Sequence, residues 1–180
     1  MPNLNDIHAP SEAVLLVGFS DLSGYSRYSR GRPGAELFAT MSAYAEFSGK
    51  IVEDAGGRVV KYIGDAMLFV FTEDRADAAV NAMLALKNSG DAWLRQRGIQ
   101  MRHVIKAHLG PVACGPFGTG TDKRFDVYGE TVNIAALTPS QGLAVTAQVF
   151  RRLAPETRKL LKKHTPPVTY LPLEENHGNQ

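Results

Sequence analysis

The sequence predicts an α+β fold of ferredoxin-like type, a βαββαβ core carrying additional C-terminal elements. Three observations predict it. Strand-like apolar runs alternate with two stretches of helical periodicity in the order β-α-β-β-α-β-β. A two-residue Gly64, Asp65 punctuation separates two strand-like runs and marks a hairpin. No internal repeat or linker divides the 180 residues, which at 44% hydrophobic supply one core. The reading is a single domain over residues 13–180 behind a flexible tail, residues 1–12.

That tail, MPNLNDIHAPSE, is polar and holds two prolines. Residues 13–19, AVLLVGF, form a continuous apolar run suited to a central, doubly covered strand. The polar turn SDLSGYS follows. Leu37, Met41, Tyr44, Phe47 and Ile51 then recur at helical spacing, with Pro33 near the start and Gly56 and Gly57 at the stop. The hairpin occupies GGRVVKYIGDAMLFVF, residues 56–71. A second long helix covers residues 73–98, with Ala79, Met83 and Leu86 on its inner face. Residues 99–110 alternate as a strand, and 111–118 continue into another. A turn and short strand lead to a helix at ETVNIAALT, where Glu130 and Thr131 suit the positive helix end. A short strand at LAVT, a helix from about Ala147 and a final strand at VTYLPL complete the chain. The basic run of residues 151–164 reads as the solvated face of a late amphipathic helix.

Composition narrows the function. A formal net charge of +2 is too small to make nucleic acid the main partner. Phe69 and Phe71 share a strand face, as RNA-stacking aromatics would, but no RNA-binding motif accompanies them. The single cysteine, Cys114, excludes a disulfide framework and a cysteine-based zinc site, and among small residues it reads as a packed thiol. No signal peptide and no membrane-spanning run is evident, so no membrane partner and a cytoplasmic location are expected.

Two aspartates carry the chemistry. Asp21 and Asp65 each end a predicted strand, and in a ferredoxin-like core those strands are central neighbours. Converging carboxylates repel unless a cation lies between them, and Mg²⁺ takes such oxygen ligands together with substrate phosphates. The alternative is that each merely caps a turn. After Asp21, Gly24 allows close backbone approach, and the amides beyond it, at Tyr25 and Ser26, suit phosphate oxygens.

Four blocks, FSDLSGYS, GGRVVKYIGDAMLFVF, KAHLGPVACGPFG and DVYGETVNIAA, stand in the order and spacing of the class III nucleotidyl cyclase catalytic domain. The resemblance covers residues 14–149. It implies a head-to-tail dimer with active sites across the interface, a homodimer or a heterodimer with another cyclase chain. It implies two divalent cations, Mg²⁺ or Mn²⁺, held by Asp21, Asp65 and the backbone carbonyl of Leu22, about 3.5–4 Å apart as in two-metal sites. Lys61 and Asp126 match the pair that reads the purine from the partner subunit. An ammonium donating to adenine N1 and a carboxylate accepting from its exocyclic amine imply ATP as substrate rather than GTP. Asn133 matches the residue that orients the ribose and its 3′ end.

One departure stands out. The resemblance leads one to expect an arginine four residues after the asparagine, on the same helix face. Here Leu137 occupies that place. Arginines of this kind in related phosphoryl chemistry are worth roughly 10³–10⁵ in rate. The late phosphate-binding lysine of the family also has no clear match; Lys162 and Lys163 are the nearest candidates. The expectation is therefore a weak adenylate cyclase, with an inactive nucleotide-binding module or one subunit of a heterodimeric cyclase as the alternative.

Overall fold

The computed structural model describes residues 4–175. Its first strand, β1 (Ser11–Ser23), runs through the middle of an eight-stranded sheet. A short helix, α1 (Tyr25–Ser29), and a long one, α2 (Gly34–Asp54), lead to the hairpin of β2 (Arg58–Ile63) and β3 (Ala66–Thr72). Then come α3 (Ala76–Gln96), β4 (Arg102–Thr119), β5 (Asp122–Tyr128) and α4 (Glu130–Leu137). The chain closes through β6 (Leu143–Thr146), α5 (Ala147–Arg152), α6 (Pro155–Arg158), β7 (Leu161–His164) and β8 (Thr169–Pro172). The strand order β2-β3-β1-β4-β6-β8-β7, with β5 paired to β4, contains the βαββαβ core.

Strand alternation divides the core between the two faces of the sheet. Leu16, Met67, Phe69, Ile105, Ala107 and Leu109 face α2 and α3 and are buried with Val52, Ala79, Met83 and Leu86. Leu15, Val17, Leu68, Val70, Val112 and Val127 face the opposite way, where Ala135 of α4 covers them. Gly18 lies opposite Phe69, and an added Cβ there would stand 2.2 Å from the phenyl ring. The glycine in the apolar run is what lets that ring lie flat on the strand.

Three expectations need correction. Residues 102–119 form one strand rather than two: its first half pairs with β1 and β6, its second half with β5, so Pro111 needs no break. The late basic run is not one helix. α6 stops at Arg158, and residues 161–164 join the sheet edge against β8 because Leu161 and Leu171 are buried there. The stretch expected as a loose tail contains a 3-10 turn at Leu4–Asp6, and strand pairing already begins at Ser11. Leu4 is buried against the second core, and its carbonyl accepts a hydrogen bond from Arg58 Nη1. Phe69 and Phe71 are fully buried beneath the helices and offer no stacking surface for bases. Cys114 is buried as a packed thiol, and burial pushes its pKa up.

Candidate active site

β1 and β3 pair antiparallel up to Ser20 opposite Met67, so Asp21 emerges beside the β2–β3 turn that holds Asp65. Gly64 makes that turn with a φ of 62°, a left-handed conformation suited to glycine. One backbone amide binds both carboxylates: Leu22 N–H donates to Asp21 Oδ1 at 2.9 Å and to Asp65 Oδ2 at 3.3 Å. Asp65 has its pKa raised to about 6, by burial first and then by the adjoining Asp21 carboxyl and its charge. A carboxyl whose ionisation is opposed by burial and by a second carboxylate beside it fits a divalent cation, which would relieve the repulsion. Among the described residues, no group of three or more His, Cys, Asp and Glu side chains could hold a metal. A cation here would therefore complete its shell with backbone oxygen, water and substrate phosphate, as Mg²⁺ does.

Behind this pair lies a buried polar chain that the sequence analysis missed. Tyr44 on α2 shares a 2.9 Å hydrogen bond with His103 Nε2, and His103 Nδ1 lies 2.8 Å from Asp91 Oδ1 on α3. His103 is paired with Leu22 across β1 and β4, so the chain ties both helices to the strand end that carries Asp21. Burial opposes the charge on Asp91, but the bonds from the His103 ring and backbone N–H outweigh it and hold the pKa below the ordinary value. The available signal was parity: His103 shares the helix-facing side of β4 with Ile105 and Ala107.

Lys61 and Asp126 meet at 2.6 Å although 65 residues separate them. A one-residue bulge between Val59 and Lys61 brings this about. Val59 packs on the helix-side core, and a regular strand would aim Lys61 the same way. The shifted register instead sets Lys61 opposite Leu68, on the other face, towards β5. Asp126 is buried and also accepts from Val127 N–H at 2.9 Å and from the Tyr128 hydroxyl at 3.3 Å.

On α4 the inward residues are Thr131 and Ala135. Thr131 Oγ1 donates to the Pro111 carbonyl at 2.6 Å and fastens the helix to β4. Asn133 and Leu137, one turn apart, are exposed, Leu137 at 81% of its surface. Gly24 caps α1 at a φ of 99°, its carbonyl accepting from the Arg27 and Tyr28 amides. Tyr25 and Ser26 thus supply the amides of the open first turn. Lys162 and Lys163 lie on edge strand β7, where Lys162 Nζ donates to the Leu173 carbonyl at 2.8 Å.

The structure thus combines a ferredoxin-like sheet, two carboxylates brought together at the end of its central strand, and a lysine–aspartate ion pair between β2 and β5. Residues 8–170 match the family model of the adenylate and guanylate cyclase catalytic domain, and the chain belongs to that family. An adenylate cyclase of Anabaena cylindrica is 29% identical over 170 residues, covering 86% of this chain and 34% of the relative. An adenylate cyclase of Streptomyces coelicolor is 32% identical over 123 residues, covering 68% of this chain and 28% of the relative. The chain thus spans about a third of the length of these relatives. In fold it is similar to the adenylyl cyclase CyaB of P. aeruginosa, with a TM-score of 0.79 at 18% identity, covering 93% of this chain and 97% of that one. The catalytic core of a rhodopsin-guanylyl cyclase with converted specificity, in complex with ATPαS, gives a TM-score of 0.74 at 23% identity over 89% of this chain and 96% of that one.

Proposed function

We propose that this domain converts ATP to 3′,5′-cyclic AMP and pyrophosphate, in the cytoplasm, at sites formed where two cyclase domains meet. The observation that carries the reading is the amide-bridged pair of Asp21 and Asp65, in which burial and then the adjoining Asp21 raise the Asp65 pKa. Asp21, Asp65 and the Leu22 carbonyl would hold two divalent cations, Mg²⁺ or Mn²⁺. Bound there, the ions would acidify the ribose 3′-hydroxyl and neutralise the triphosphate. The 3′-oxygen attacks the α-phosphorus, its proton leaves, and the bond to pyrophosphate breaks. Asn133 orients the ribose, while the first-turn amides around Gly24, Tyr25 and Ser26 receive phosphate oxygens. Lys61 and Asp126 read adenine, donating to N1 and accepting from the amine, a polarity that guanine does not match.

Exposed Ile63, Phe117 and Leu137 are apolar surface that a second cyclase domain would cover, which supports dimerisation. Leu137 also supports a second reading. An apolar, exposed side chain at the phosphate arginine's place makes a homodimer slow. It suits a heterodimer in which another cyclase chain supplies the arginine, or a module that binds ATP without turnover.

The test is cyclic AMP formation by the purified chain with Mn²⁺ or Mg²⁺, against Asp21→Ala, with ATP binding measured alongside. Activity above that variant supports the cyclase. ATP binding without activity moves the weight to the second reading, and absence of both refutes the two together.

A further inference from the structure

We infer that Lys106 is a triphosphate-binding residue of the site, a role that rests on the cyclase reading above. Ile105, Ala107 and Leu109 of β4 are buried on the helix side, so alternation sends Val104, Lys106 and His108 to the opposite face. Register sets Phe19 directly opposite Lys106 and Asp21 opposite Val104. Asp21 and Lys106 are thus diagonal neighbours on one face, about 7–8 Å apart at that spacing. On the other side Lys106 pairs with Ala144 of β6, a small, fully buried residue that offers it no polar partner.

Lys106 is partly buried, and among the described residues it has no ion pair or hydrogen-bond partner. Its neighbours do not neutralise it. His108 is engaged with Thr146 Oγ1 at 2.9 Å, and Asp126, which pairs further along β4 opposite Gly115, is taken by Lys61. Asp21 binds the Leu22 amide and does not come within ion-pair range of Lys106. Arg102, the other Lys or Arg of β4, sits at the strand end opposite Ser23 and lines a crevice with Lys87 and Asp91 of α3. A half-buried ammonium in the middle of a sheet, unpaired and next to a metal-type carboxylate, is costly for the fold alone. An anion resting on the cations at Asp21 and Asp65 would complete it. ATP brings three linked phosphates there, and Leu137 leaves them without the expected arginine. Lys106 therefore holds the pyrophosphate end of the nucleotide and supplies cationic charge from the floor of the site.

The experiment measures binding by calorimetry of the non-cyclising analogue α,β-methylene ATP, of tripolyphosphate and of adenosine, each with Mn²⁺. The proteins are the wild-type chain, Lys106→Met, Lys106→Arg and Asp65→Ala. Lys106→Met is expected to weaken the analogue and tripolyphosphate alike by about tenfold, the loss of one charge-assisted contact. Adenosine binding and the ligand-free melting temperature should not fall, and Lys106→Arg should recover most of the loss. If Lys106→Met binds both phosphate ligands as tightly as wild type while Asp65→Ala does not, the Lys106 role is refuted and the cyclase reading stands. A lower melting temperature with adenosine weakened equally would refute it as well, in favour of a structural lysine. Failure of the wild-type chain to bind any of the three refutes both readings.

Discussion

Leu137→Arg tests the incomplete site with little risk to the fold. Leu137 is 81% exposed at the last position of α4, so its replacement surrenders little buried surface. Leucine and arginine have similar helix propensities. A cation in the last turn complements the helix dipole by about 0.3–1 kcal/mol. The melting temperature should therefore stay within the range of a benign surface change, about ±0.5 kcal/mol of stability. The catalytic effect is on another scale. Asn133 lies one turn before Leu137 on the same exposed side, so on the proposed reading a guanidinium there would reach the phosphates of a nucleotide whose ribose Asn133 orients. Arginines of this kind are worth roughly 10³–10⁵, which sets the ceiling, and a gain of at least about tenfold is expected. The assay is cyclic AMP formation at saturating Mn²⁺ and ATP for wild type, Leu137→Arg, Leu137→Lys and Leu137→Ala. Lysine should recover only part of the gain, because a point charge lacks the bidentate fork, and alanine none. A folded Leu137→Arg that binds ATP normally and cyclises it at the wild-type rate would refute the assignment of this position.

Protonation of the carboxylate pair gives a signed prediction. Asp65 titrates near 6 in the folded chain against 3.8 for the ordinary carboxyl. Folded protein therefore binds more protons across that window, and metal-free stability should fall as pH rises from about 4 to 6, then level off. Stabilisation by Mn²⁺ should have the opposite sign, growing as pH rises through 6; melting curves with and without the ion check both slopes, and Asp65→Asn should flatten them. Lys61→Ala strands a nearly buried Asp126 carboxylate, although its Val127 and Tyr128 bonds remain. A stability loss of about 1 kcal/mol is expected in urea titrations, discounted for the exposed lysine. The preference for ATP over GTP in kcat/KM should drop by at least about tenfold, and an unchanged ratio would remove the pair from base recognition. Gly90→Ala would set a Cβ 2.4 Å from His103 Cε1. Despite the helix-propensity gain of alanine, a loss of roughly 1–3 kcal/mol is expected as the ring is displaced from Tyr44 and Asp91; a stabilised variant would mean that the Tyr44–His103–Asp91 chain is loosely held.

Period and punctuation made the core legible. The apolar run of residues 13–19 is buried at the sheet centre, Gly64 and Asp65 do make the hairpin turn, and the order of elements gives the βαββαβ arrangement. These features depend on neighbours in sequence. Features that depend on distant partners were not legible. Residues 161–164 look helical in isolation and become an edge strand because β8 offers a ladder. His103 reads as one polar residue in an alternating strand, and its partners lie 59 and 12 residues away. Leu4 looks like part of a polar tail until Arg58 and the second core hold it.

The bulge at Val59 and Lys61 shows how this limit reaches the site itself. Lys61 and Asp126 were singled out by their places in a motif, yet alternation along β2 would have sent Lys61 to the helix side with Val59. There its ammonium would meet the apolar core, at a desolvation cost that no partner on that face offsets. One unpaired residue reverses the side chain and delivers it to a buried carboxylate on β5. The same alternation, undisturbed along β4, keeps Lys106 on the face of Asp21. The two lysines thus reach the positions proposed to face the nucleotide by opposite means, one through a break in the ladder and one through its regularity. A deletion of Val60 tests the bulge. It removes the extra residue and leaves Lys61 next to Val59 and opposite Leu68, on the face towards Asp126, so adenine selectivity and tripolyphosphate binding should both persist. Loss of selectivity alone would mean that the bulge's own geometry, and not only the parity it sets, aims Lys61.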